Sequence, residues 1–294
     1  MRVSTLARSL SFAASLCVAA LAGATFLGAQ ARAQSPASSP AVPTGAPPAE
    51  AALPPPGPLD AAQMHTLLTI IDDRQRNTGD YKALAFIEQR EKDKNDVFFE
   101  TVFYRRDGSD QFLILFLKPK TEAGKGYLRI EKNLWMYDPG TGKWERRTER
   151  ERIGGTNSRT DDFDPIYLAR DFEATYVGSE KLGQFGVHHL KLVAKPGAKV
   201  ADPLVELWAD QATGNILKQQ GSALSGRLLR TAYYPKWEKI FSESKNAAVY
   251  YPKEIRIFDE VEKENRTTVL IDKVDLRPLE KNIFTKAWLE SKSR

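Results

Sequence analysis

Cysteine is almost missing from this 294-residue chain, and the only one, Cys17, lies inside an apolar run near the start. Beyond that run the chain can form no disulfide, so its stability must come from an ordinary core. Histidine is nearly as scarce, with His65 and the adjacent His188 and His189. Without thiolates, and without histidines at i, i+4 spacing, no zinc-type ligand set can be assembled. Ser222 and Ser225, in GSALSG, lack a G-x-S-x-G elbow and a nearby histidine base. Gly154-Gly155-Thr156 lacks the lysine and the strand-to-helix setting of a phosphate loop. The expectation is a non-enzymatic protein with no catalytic residue, no cofactor and no metal.

An excess of one charge sign is also lacking. Residues 1–33 combine basic Arg2 and Arg8, an apolar run from Leu10 to Ala29, and Ala31 and Ala33 around Arg32. That is the layout of a cleaved secretory signal peptide. Leu16 precedes Cys17 where a bacterial lipoprotein site needs a small residue. Removing Arg2, Arg8 and Arg32 leaves 40 basic against 38 acidic residues, a net charge of +2. The balance implies no nucleic-acid partner. Arg146, Arg147, Arg150 and Arg152 alternate with Glu145, Glu149 and Glu151, as in a solvated strand end and loop. The expected destination is the periplasm of a Gram-negative-type envelope.

Residues 34–58 are rich in Pro, Ala and Ser with one charge, Glu50, and read as a disordered linker. From 59 to 294 the chain reads as one domain. Met64, Leu67, Leu68 and Ile71 recur at three- and four-residue spacing, predicting an amphipathic helix over Leu59–Asn77 with Asp60 as its cap. Asp161, Asp162 and Asp164 read as loop solvation and the cap of a short helix, Asp164–Asp171. Thirteen strand-like runs follow between Tyr81 and Asp275, separated by turns such as Asp107-Gly108 and Gly183–Gly186.

Phe112–Leu117 is apolar on both faces, with Phe112, Ile114 and Phe116 on one side and Leu113, Leu115 and Leu117 on the other. Both faces must therefore be covered. Trp135 and Tyr137 share a face, and Trp144 opens the facing strand. A sheet so apolar in a chain with few helices should line a cavity with part of that surface.

Several blocks occur in a recognisable order: Gly124–Tyr127 (GKGY), Asn133–Pro139 (NLWMYDP), Lys143–Arg147 (KWERR), Asp210–Asn215, and Leu279–Glu290 with its IFTKAWLE. Together they resemble the LolA-like outer-membrane lipoprotein-sorting family. The resemblance implies a mainly β (α+β) fold, an incomplete antiparallel β-barrel of about eleven strands with a helical lid. It implies a periplasmic carrier that binds lipoprotein acyl chains in a hydrophobic half-barrel, with an inner-membrane transporter and an outer-membrane acceptor as partners. The expected cavity lining is Leu113, Leu115, Leu117, Trp135, Tyr137, Trp144, Phe163 and Leu168. The expected lid residues are Met64, Leu67, Leu68 and Ile71. Two other readings stay open, a sensor or regulatory module of the same fold and a carrier of another hydrophobic lipid.

Overall fold

Alternation of apolar and polar residues, interrupted by turn signals, becomes one very wide antiparallel sheet. The computed structural model describes residues 52–75, 79–130, 133–147, 152–159, 167–243 and 245–293. The expected signal peptide, most of the expected linker, Phe163, and Asp161, Asp162 and Asp164 lie outside the described residues. The strands are β1 (Asp80–Arg90), β2 (Val97–Arg106), β3 (Gln111–Lys118), β4 (Gly126–Ile130), β5 (Asn133–Asp138), β6 (Lys143–Arg147), β7 (Phe172–Leu182), β8 (Phe185–Ala194), β9 (Leu204–Asp210), β10 (Ile216–Ser222), β11 (Leu228–Ser242), β12 (Ala247–Asp259) and β13 (Arg266–Asp275). The helices are α1 (Ala61–Gln75), α2 (Leu168–Asp171) and α3 (Lys286–Lys292).

All thirteen strands join one sheet in the order β6-β5-β4-β3-β2-β1-β13-β12-β11-β10-β9-β8-β7. The chain builds outward from β1 to β6, crosses to the far edge at β7, and returns by hairpins to place β13 beside β1. The sheet is open, because β6 and β7 do not pair with each other. The strand count exceeds the about eleven implied by the resemblance and equals the number of strand-like runs. Two strands run well past their expected ends. The expected runs Leu228–Tyr233 and Glu254–Asp259 extend through Pro235 and Pro252, with register shifts beside Pro235 that accommodate its missing N–H.

Asp60 and Gln63 form a reciprocal cap at the start of α1. The Gln63 N–H donates to Asp60 Oδ1 at 2.8 Å, and the Asp60 N–H donates to Gln63 Oε1 at 2.9 Å. Met64, Leu67, Leu68 and Ile71 are buried against β7–β10 with Leu190, Leu192, Leu207 and Ile216. The last residues of the expected linker are ordered on the same side of the fold. Leu53 packs beside Gly214, Pro54 is buried, and the Tyr176 hydroxyl donates to the Gly57 carbonyl at 2.8 Å.

The two apolar faces of β3 are covered by different partners. Phe112, Ile114 and Phe116 join a core with Ala83, Ala85, Phe103, Val269 and Ile271. Leu113 and Leu115 instead join Tyr104, Leu128, Ile283, Phe284 and Leu289, under the C-terminal segment. Thr285 caps α3, its hydroxyl accepting from the Trp288 N–H at 3.2 Å. Gly126 permits the close approach of this helix, since a Cβ there would stand 2.7 Å from a Leu289 methyl.

The C-terminal segment is latched to β1 and β2. Arg106 pairs with Asp80 at 2.8 Å and donates to the Leu279 carbonyl at 2.7 Å, while the Leu279 N–H donates to Asp80 Oδ2 at 2.6 Å. Burial raises the Asp80 pKa, but Arg106 and the Leu279 N–H outweigh it and hold the carboxyl below its usual value. A carboxyl with a depressed folded pKa adds stability above its unfolded pKa and loses it as pH falls through the folded value. Asp80→Asn is therefore expected to cost about 1–3 kcal/mol near neutral pH, and the difference from wild type should shrink as the pH falls below the ordinary carboxylate range, through the lowered folded pKa. Urea unfolding at neutral and acidic pH checks this.

Candidate functional site: a cavity on the inner face

The face of the sheet that carries α1 and α2 borders an open-sided cavity of about 530 Å³. It lies between two cores. Tyr81, Phe103, Leu134, Tyr251, Val269 and Ile271 come from the β1–β5 and β12–β13 core, whereas Leu168, Phe172, Val205 and Ile216 come from the core beneath the two helices. Tyr234 and Trp237, from the extended β11, pack against the second of these cores and border the cavity. The Trp237 indole N–H donates to the Ile216 carbonyl at 2.8 Å, which fixes the ring as a wall. The size falls within the few hundred to one thousand Å³ of sites that take one small molecule.

Among the described residues, the charged part of the lining comprises Arg74, Arg105, Arg129, Arg170, Lys199 and Arg230 together with Asp110, Asp171 and Asp202. Arg129 is almost wholly buried and pairs with Asp110 at 2.9 Å. Arg105 pairs with Asp107 at 2.7 Å and donates to the Gln75 carbonyl at 2.8 Å, tying the end of α1 to the sheet. Arg74 bonds to the Thr213 carbonyl and lies over the Tyr250 ring at 4.4 Å. Burial holds the Tyr81 phenol in its neutral form, and burial with the Glu238 carboxylate does the same for Tyr251. Among the described lining residues none is histidine, cysteine or glutamate, and no metal-capable cluster of three such groups occurs among the described residues. Among the described residues the lining offers apolar surface and several paired charges.

The comparisons agree with this architecture. The family model that matches, over residues 108–291, is of the DUF1329-like kind and is described as an uncharacterized protein. The chain belongs to that family. Among solved structures, it is similar to a domain from Vibrio parahaemolyticus described as an outer membrane lipoprotein-sorting protein, with TM-score 0.67 and 16% identity over 79% of this chain and 100% of that one. A LolA superfamily protein from Nitrosomonas europaea matches with TM-score 0.63 and 19% identity, and a DUF1329 family protein from Desulfovibrio piger with TM-score 0.68 and 14% identity. Both matches cover 79% of this chain and 100% of the other. No curated protein matches. The fold is LolA-like, an open antiparallel sheet with few helices. Among the described residues, no helix is long and apolar enough to cross a membrane.

Within this LolA-like sheet the expected lining divides sharply. Leu168 borders the cavity. Leu113 and Leu115 lie on the opposite face, beneath the C-terminal segment. Trp135, Tyr137 and Trp144 belong to that face too. Lys286 of α3 sits 3.9 Å above the Trp135 ring, Tyr137 packs on Trp144 at 5.0 Å, and the Trp144 indole donates to Glu290 at 2.7 Å. Leu117, left unpaired at the register shift between β2 and β3, is exposed. The correction is one of face: an alternating strand presents two sets of side chains, and the C-terminal helix covers the set expected in the cavity. Leu134, next to Trp135, is on the cavity side. Sequence reasoning also missed Arg74, Arg105, Arg129 and Trp237.

The expected second helix survives as the single turn α2, with Tyr167 before it in a non-helical conformation. Its orphan amides are satisfied from α1. Asp72, nearly fully buried, accepts from the Leu168 and Ala169 N–H groups at 2.8 and 3.0 Å. Replacing Asp72 by alanine would strand both donors, and the expected loss is about 2–4 kcal/mol. Asp72→Asn, which keeps one acceptor, should lose less. Chemical denaturation of the two variants measures the order.

Proposed function

We propose that the protein is a periplasmic carrier that holds acyl chains in this cavity, exported by a signal peptide at residues 1–33 and separated from it by the Pro/Ala/Ser-rich stretch that follows. The observation that carries the reading is the apolar cavity between the inner sheet face and α1–α2, in a LolA-like fold. Lipoprotein acyl chains on their way to the outer membrane are the first candidate cargo, with an inner-membrane transporter and an outer-membrane acceptor as partners. A volume suited to one small molecule also favours a second reading within the same class, a carrier of another hydrophobic lipid.

The lid in this proposal is α1. Exposing Met64, Leu67, Leu68 and Ile71 would cost about 6–12 kcal/mol at about 1.5–3 kcal/mol for each buried side chain. An acyl chain of about a dozen methylenes recovers roughly 10 kcal/mol at about 0.8 kcal/mol each. Exchange of helix for chain is thus close to balanced, as reversible loading requires.

Native mass spectrometry with lipid extraction, on protein purified from its own envelope, tests the proposal. Co-purifying acylated proteins support lipoprotein cargo, and a free lipid supports the second reading. A protein that is reproducibly empty and takes up no fluorescent long-chain ester overturns both.

A further inference from the structure

We infer that the chain in this cavity is an acyl ester recognised through its carbonyl oxygen, which accepts a hydrogen bond from the Tyr81 hydroxyl. The inference rests on the acyl-chain reading above and names the polar atom by which such a chain is held.

Tyr81 stands at the start of β1 and borders the cavity. Its ring is packed into the inner core with Ala83, Phe103 and Tyr251, and the residue is 7% exposed. Arg105, directly opposite on β2, lies over the ring at 6.0 Å, and is itself held by Asp107 at 2.7 Å and the Gln75 carbonyl at 2.8 Å. Packing on these sides fixes the ring, and with it the place of the hydroxyl.

That hydroxyl has no hydrogen-bond partner among the described residues. Tyr251, in the same wall, donates to Glu238 at 2.7 Å. Burial keeps the Tyr81 phenol protonated, so it is always a donor. Water can serve such a donor while the cavity is empty. A bare hydrocarbon that filled the cavity would displace the water and strand the donor, which costs as much as a broken hydrogen bond. A ligand that brings an acceptor to this point avoids that cost.

The neighbours of Tyr81 favour a neutral acceptor. Arg105 is engaged by Asp107 and Arg129 by Asp110, so an ionised head would compete with carboxylates already in place. A carbonyl oxygen needs no such exchange, and an acyl ester carries it at the first carbon of the chain. The apolar track begins from there. Ile271 stands opposite Ala85 and Val269 opposite Ile87, about 13 and 20 Å along β1 from Tyr81 at about 3.3 Å per residue.

The test compares monolauroylglycerol with its dodecyl ether, which has a methylene in place of the carbonyl, each displacing the fluorescent ester from the mature protein. The ester-to-ether affinity ratio is expected to be about fivefold larger in wild type than in Tyr81→Phe, the size of one neutral hydrogen bond. Comparing the two ratios cancels the different hydration of the lipids and any general change in the cavity. Infrared spectroscopy of the bound ester, with an isotope-labelled carbonyl, gives a readout on wild type alone. Its carbonyl stretch should lie below the frequency of the same ester in hexadecane, as a hydrogen-bonded carbonyl does. The same ratio in both proteins, or a bound carbonyl at its hexadecane frequency, would overturn the inference and leave the acyl-chain reading standing. Failure of the protein to take up the fluorescent ester or either lipid would sink the acyl-chain reading itself.

Discussion

Leu115→Glu unfolds the protein. Leu115 is 6% exposed and packs with Leu113, Leu128, Ile283, Phe284 and Leu289 beneath the C-terminal segment. A glutamate there either buries an unpaired carboxylate, which costs several kcal/mol, or expels the segment from the sheet. The expected destabilisation exceeds about 4 kcal/mol, a large part of the whole stability of an ordinary domain. Circular dichroism and urea unfolding measure it. The contrary outcome, a folded variant with a native melting temperature that no longer takes up lipid, would place the binding surface on the C-terminal-helix side and refute the cavity described above.

Ala232→Trp should do the reverse, weakening binding while leaving the fold in place. Ala232 is buried on β11 and borders the cavity, directly opposite Ile257 on β12 and Gln219 on β10. An indole at this position enters existing space, so overpacking is limited. Denying the ligand room for about three methylenes, at about 0.8 kcal/mol each, weakens binding roughly fiftyfold. Titration with the fluorescent ester, beside a thermal melt, separates the two effects. Unchanged affinity in a folded variant would show that the ligand lies elsewhere.

The two substitutions probe opposite faces of one sheet, and the choice of face is where the expected lining and the cavity part company. The period-two alternation of Phe112–Leu117 showed that both faces are covered, but it does not say by what. Trp135, Tyr137 and Trp144 look like a cavity wall when only the strand is considered. They are the seat of a helix that begins about 140 residues later, at Lys286. The arginines that border the cavity were illegible for a related reason. Arg105, Arg129 and Arg74 are separated in sequence by strands and turns, and only the register of β1 to β5 and the docking of α1 bring them to one end of a cavity.

Local signals determined the rest. Spacing of Met64, Leu67, Leu68 and Ile71 was enough for α1, Asp60 for its cap, and alternation between turn residues for the strands, because each depends on neighbours within a few residues. The family blocks from Gly124 to Glu290 were enough for the LolA-like fold. What only the tertiary structure decided is which apolar stripe faces α1 and which faces α3, how β11 runs through Pro235, and which distant residues border the cavity. A β-sheet forces this division. A strand's own sequence specifies two faces equally well, and the inner one is chosen by segments far away in the chain.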